Sequence, residues 1–290
     1  MQRHLIVTAD DFGLHETVNE AVERASRGGI LTAASLMVAG PAAADAVRRA
    51  RRLPNLRVGL HIVLADGLSS LPHQQIPSIT DADGRMGEDM FFRGVRYFAS
   101  GAARRQLEME IRAQFRAFAR TGLPLDHVNA HKHFHLHPTI LGILLRVARE
   151  FGARAMRVPD EPFWFAARSG RWDAAAGGTL LVPWLMLMKH RLRAAGIFHN
   201  DSVFGMAGSG SMDEEKLLAI LARLPQGVTE IYLHPATASG AAVAPSMDTY
   251  RHADELAGLL SARVRDTIAA LNVRRGGYGD ILLNIGRSLA

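Results

Sequence analysis

Leu5-Ile6-Val7-Thr8-Ala9-Asp10-Asp11-Phe12-Gly13, followed by a helix-patterned run over 16–27, is the stretch that decides the fold. Residues 4–9 read as a short buried strand that runs straight into two carboxylates. Val18, Ala21, Val22 and Ala25 then recur at helical spacing until Gly28-Gly29 stops them. The result is one β-α unit with acids at the joint. On regular strand geometry Asp10 and Asp11 point to opposite faces, so their roles differ, one suiting a cation and the other a proton. The competing reading is that one of them caps the helix.

The same unit recurs along the chain. Strands are expected at 32–39, 56–61, 125–130, 155–158 and 229–233, with a closing strand at 279–285. Helices are expected at 41–52, 103–121 and 138–151, and a long functional loop or lid at about 62–100. This alternation predicts an α/β fold, a mainly parallel sheet or barrel, in a single domain over 1–290. Such folds gather ligands at the C-terminal ends of their strands, where Asp10, Asp11, His61 and Arg157 fall.

Five of the thirteen histidines lie in Asp126-His127-Val128-Asn129-Ala130-His131-Lys132-His133-Phe134-His135-Leu136-His137-Pro138. An extended backbone puts His131, His133, His135 and His137 on one face, whereas a helix pairs His131 with His135 or His133 with His137. At about 3.3 Å per residue, His131 and His135 of a strand stand roughly 13 Å apart, so one ion cannot use them all. At most two neighbours bind it, and the other ligands come from elsewhere. Histidine tracts point to metal binding; the plain alternative is a solvated loop.

Composition limits the chemistry further. The chain has no cysteine, which excludes disulfides, thiolate sites and cysteine nucleophiles, so any metal is held by nitrogen and oxygen. Its charge of +6 comes from 31 arginines against three lysines, but they are scattered and lack aromatic interleaving, so no nucleic-acid partner is expected. No apolar run reaches the roughly 20 residues of a membrane span and no secretory signal is evident, which leads to the expectation of a cytoplasmic protein. Residues 163–198 form an apolar insert around Phe163-Trp164-Phe165 and Pro183-Trp184-Leu185, beside Arg168, Arg171, Lys189, Arg191 and Arg193. It reads either as helices packed on the barrel or as an amphipathic surface with peripheral contact at the inner membrane face. A homo-oligomer is left open.

Ile6-Val7-Thr8-Ala9-Asp10-Asp11-Phe12-Gly13-Leu14, Val58-Gly59-Leu60-His61, His131-Lys132-His133-Phe134-His135 and Leu233-His234-Pro235-Ala236 follow the order and approximate spacing of a known family. Almost end to end, the chain resembles the YdjC-like carbohydrate deacetylases. Within them it looks like the members associated with hopanoid biosynthesis. The resemblance implies a deformed (β/α) barrel, TIM-barrel-like, with one divalent metal ion, Mg2+ or Zn2+, held by Asp11, His61 and His131. It implies Asp10 as general base and His234 as general acid. Arg157 then either orients Asp10 or bridges loops, and His133, His135 and Glu161 are expected to contact the sugar. Two departures stand out: Asn129-Ala130 replaces the Asp-Ser common before the histidine run, touching the support of His131, and Ala236 replaces a usual glycine.

The implied reaction removes acetate from an N-acetylglucosamine unit, an acetylated amino sugar attached to a hopanoid lipid. A cation with open positions polarises the acetyl carbonyl and acidifies water, Asp10 takes the proton, and His234 protonates the amine. The alternatives are soluble chitooligosaccharides as substrates, a metal- or sugar-binding protein without turnover, and a metal phosphoesterase, which no phosphate-cradling glycine loop supports.

Overall fold

The computed structural model describes residues 2–168 and 172–288, so Arg171 of the apolar insert lies outside the described residues. The strands are β1 (Arg3–Phe12), β2 (Ala33–Leu36), β3 (Arg57–Ile62), β4 (Gly67–Leu68), β5 (Arg85–Met86), β6 (Val128–Ala130), β7 (Ser202–Phe204), β8 (Gly227–Leu233) and β9 (Arg274–Arg275). Helices α1 (Glu16–Gly28), α2 (Ala43–Ala50), α3 (Met90–Ala99), α4 (Gly101–Arg120), α5 (Pro138–Glu150) and α6 (Phe163–Arg168) occupy the first part of the chain. After them come α7 (Trp172–Ala194), α8 (Glu214–Leu221), α9 (Gly240–Val243), α10 (His252–Leu260), α11 (Ala262–Ala270) and α12 (Tyr278–Ser288).

The main sheet runs β6-β3-β2-β1-β8-β7, with every pairing parallel. Bridges Val128↔Met156 and Ala155↔Phe198 link β6 to the chain that enters β7, so the sheet curls round on itself. The expected deformed barrel is therefore present. The expected strand at 155–158 is reduced to these bridges.

Side-chain alternation divides the sheet into two environments. Leu5, Val7 and Ala9 of β1, with Ile231 and Leu233 of β8, join the large apolar core under the helices. Residues of opposite parity face inwards. Ile6, Ala33 and Val228 form a small apolar plug with Tyr278 and Ile281, whereas Thr8, Asp10, Ser35, His61, Asn129 and Glu230 fill the rest of the interior with buried polar groups.

That plug corrects the expected closing strand at 279–285, which is helix α12. Its apolar residues Ile281, Leu282, Leu283 and Ile285 form too short a run to distinguish helix from strand. In the fold, Ile281 is buried against Ile6 while Leu283 is 59% exposed, and Asp280 accepts a bond from the Gly277 N–H just before the helix. The region at 62–100 also contains a helix, α3, as well as the small antiparallel pair β4–β5.

Candidate active site and metal centre

The acids sit where β1 breaks. Its pairing with β2 slips between Ala9 and Phe12, and Asp11 adopts a left-handed backbone, φ 62°. Such a bulge re-aims a side chain, so Asp10 and Asp11 do not simply alternate across the sheet. Neither caps α1; His15 does, with its ring accepting from the Thr17 N–H.

Asp11, His61 and His131 converge at the barrel's mouth. Asp11 Oδ1 lies 3.2 Å from His61 Nε2 and 3.0 Å from His131 Nδ1, and one ligand atom from each residue falls within 4.8 Å of the others. All three side chains are buried, and Asp11 Oδ2 has no hydrogen-bond partner. Oxygen and imidazole nitrogen donors so placed suit a divalent ion, and the unpartnered carboxylate oxygen supplies capacity for one.

The histidine run is neither the predicted strand nor an α-helix. Residues His131–Leu136 form a tight 3-10 turn in which Lys132 and His133 both take φ 53°. Only His131 of this run therefore joins the cluster. His133 lines the adjoining cavity of about 310 Å³, together with Asp10, His61, Tyr232, His234 and Tyr250. Its Nε2 is 2.8 Å from the Tyr232 hydroxyl. Burial, reinforced by Arg157, pushes the His133 pKa well down, and burial pushes Tyr232 well up, so both are neutral.

Two other residues expected to contact the sugar, His135 and Glu161, are not among those lining that cavity. His135 is fully buried and its Nε2–H donates to the Arg157 carbonyl at 3.0 Å. Burial lowers its pKa to about 4. Glu161 accepts the backbone N–H groups of Gly205, Met206 and Ala207, each at 2.9 Å, and so holds the loop that carries Met206 into the cavity. Both side chains are engaged in holding neighbouring backbone.

Arg157 is fully buried between two carboxylates. It donates to Asp10 through Nη1 at 2.5 Å and Nη2 at 3.0 Å, and to Glu230 through Nε at 2.8 Å and Nη2 at 2.9 Å. Thr8 and Tyr278 hydroxyls, each at 2.6 Å, satisfy Glu230 further. Burial would raise the Asp10 carboxyl, but Arg157, helped by His61, holds it well below the usual carboxylate range. Asp10 is thus an ionised acceptor.

That charge fixes the orientation of Asn129. Its amide donates to Asp10 Oδ1 at 3.1 Å and to Ser35 Oγ at 2.8 Å, so its oxygen faces His61 Nδ1 at 2.6 Å. His61 therefore carries its proton on Nδ1 and turns a lone pair at Nε2 towards Asp11. A lone pair and a carboxylate oxygen at 3.2 Å repel unless a cation or proton lies between them. The departure at Asn129 accordingly bears on His61 and Asp10. His131 has a different support, Asp66, whose Oδ2 is 3.9 Å from His131 Nε2 and 2.6 Å from Lys132 Nζ. Burial disfavours charge on His131, yet Asp11 and then Asp66 draw its pKa up to about 9.

His234 completes the ring, with Nε2 3.9 Å from Asp11 Oδ2. Its backbone is held from both sides: the N–H donates to Glu255 and the carbonyl accepts from His252. Burial lowers the His234 pKa against the pull of Asp11 and Asp10. Ala236, two residues on, is fully buried.

Asp66, Glu230, Tyr232 and Glu255 were not anticipated from the sequence. Glu230 alone had a signal there, a charge in the middle of an apolar strand. A family model described as YdjC-like protein matches residues 4–270. The chain belongs to the YdjC-like family.

Its relatives carry consistent names. This YdjC-like chain is 31% identical over 240 residues to a carbohydrate deacetylase of Geobacillus stearothermophilus, covering 81% of this chain and 80% of that protein. It is 29% identical over 282 residues to a chitooligosaccharide deacetylase of Klebsiella pneumoniae, covering 97% and 100%. A carbohydrate deacetylase of Brevibacillus brevis is 40% identical over 169 residues, 58% of this chain and 63% of that protein, so this match spans less than two thirds of the relative. A solved structure from Enterococcus faecalis, named for cellobiose-phosphate cleavage, shares the fold with a TM-score of 0.77 at 22% identity, covering 97% of this chain and 99% of that one.

Proposed function

We propose that this YdjC-like protein is a metal-dependent carbohydrate deacetylase that removes acetate from an N-acetylglucosamine unit. The observation that carries the reading is the convergence of Asp11, His61 and His131, from three separate strand ends, beside a cavity floored by an ionised Asp10. Deacetylase names among relatives aligned over most of the chain add to it.

Asp11, His61 and His131 are the proposed ligands of one divalent ion. Such an ion, when bound, polarises the acetyl carbonyl and acidifies water. Asp10 is the proposed general base, ionised because Arg157 pairs with it and aimed by Arg157 and Asn129 together. His234 is the proposed acid for the departing amine. Burial keeps it neutral at rest, so it delivers a proton only after receiving one during turnover, and the nearby Asp11 and Asp10 favour that charged form. His133 and Tyr232 present paired polar atoms to the sugar.

The substrate beneath the sugar has two readings. Exposed Leu181, Val182, Met186 and Leu187 on α7 favour a lipid-linked sugar, and the resemblance to hopanoid-associated members makes a hopanoid lipid the specific proposal. Alignment with the whole Klebsiella relative favours soluble chitooligosaccharides. Acetate release should be measured on both, with Asp10→Asn as control. A hydrolase loses acetate release in that variant, by about 100-fold or more, while keeping its metal. Absence of acetate release from the metal-loaded parent on either substrate would overturn the assignment in favour of a binder.

A further inference from the structure

Helix α3 wears its apolar face outwards. Phe91, Phe92, Val95 and Phe98, at i, i+1, i+4 and i+7, are 74%, 70%, 52% and 66% exposed, while Gly94 and Tyr97 on the opposite side are buried. A run of large apolar side chains on one helix face marks a contact surface. The buried side rests on the histidine turn: a Cβ at Gly94 would sit 3.3 Å from the His137 ring, and Tyr97 stacks obliquely on Phe134 at 5.7 Å. The same turn anchors α7, whose Trp184 Nε1–H donates to the Leu136 carbonyl at 2.8 Å. Leu181, Val182, Met186 and Leu187 of the same helix are exposed.

Charge accompanies the apolar face. Arg96, Arg104 and Arg105 are exposed beside it. The neighbouring Glu108 is already engaged by Arg112 and Arg146, and none of the three arginines has an ion pair among the described residues. Glu88 and Asp89 are exposed at the start of α3, so the positive charge gathers at its C-terminal end, where apolar side chains beside arginines without ion pairs match the acyl boundary and phosphate layer of an anionic bilayer. No helix among the described residues is long and apolar enough to cross a membrane, so the contact is peripheral.

We propose that the outward face of α3 docks the protein reversibly on an anionic lipid bilayer, while its buried side rests on the turn that carries His131 and His133. This docking deepens the lipid-linked reading of the substrate, but it is measured without turnover. Its failure is thus distinguishable from failure of the deacetylase assignment.

The test is flotation of the full chain with vesicles of phosphatidylcholine alone and of phosphatidylcholine with one third phosphatidylglycerol. Binding is expected to the anionic vesicles, to weaken with salt, and to fall at least about fivefold for each of Arg96→Glu and Arg105→Glu. Phe91→Ser combined with Phe98→Ser should abolish it while leaving the circular dichroism spectrum and thermal midpoint unchanged. Flotation with neither vesicle, or equal flotation of parent and variants, overturns the proposal. So does a dimer in sedimentation velocity that the double serine variant dissolves while no vesicle binding occurs, since the face then pairs with a second copy.

Discussion

His61 and Asn129 stand opposite one another on neighbouring parallel strands, and their side chains meet at 2.6 Å inside the barrel. One hydrogen bond there fixes two things: the Nδ1 tautomer of His61, and the alignment of the amide that Asn129 offers Asp10. The proposed metal ligand and the proposed base are thus oriented by a single uncharged residue.

Removing that residue should weaken metal binding. Asn129→Ala frees the His61 tautomer and is expected to lower Zn2+ affinity by about 10-fold to 100-fold. A competition titration against a chromogenic chelator measures this; unchanged affinity would contradict the role given to Asn129.

Arg157 joins two buried carboxylates, so its loss leaves both unpaired. Arg157→Met should destabilise the fold by about 3–5 kcal/mol in urea unfolding. Arg157→Lys should recover only part of this, because one ammonium cannot reproduce bonds to Asp10 and Glu230 together. A variant as stable as the parent would show that the pair is not held as described.

Much of this arrangement was legible in the sequence, and the reason is positional. Asp11, His61 and His131 each close an apolar run with strand pattern, and parallel strands bring such ends to one side. Glu230 and Asn129 were less visible because inward positions on a barrel strand look like any alternate residue until the sheet curls. The turn at Lys132 and His133 had no signal, since non-glycine residues rarely adopt φ near 53°. Helix α3 did carry a signal within the expected loop, Phe91, Phe92, Val95 and Phe98 at helical spacing, but spacing does not say that this face points outwards. Asp66, in a loop without pattern, is recognisable only by its neighbours.

Glu255 makes stability depend on pH. Burial raises its pKa to about 7 from an ordinary 4.5, despite accepting N–H bonds from Met212 and His234. Between those values the folded chain keeps a proton that the unfolded chain has released. Its contribution is therefore complete below the lower value and lost as pH rises through about 7. The loss is roughly 3 kcal/mol at most, taking about 1.4 kcal/mol per pKa unit. Urea midpoints of the parent and Glu255→Gln across this range should show a flatter profile in the variant; parallel profiles would exclude Glu255 as the source.

Metal stoichiometry tests the central claim most directly. After loading with Zn2+ or Mg2+ and removal of excess, elemental analysis should find one ion per parent chain and none in folded Asp11→Asn or His131→Ala. A folded parent that holds no ion, or variants that retain it, would contradict the account.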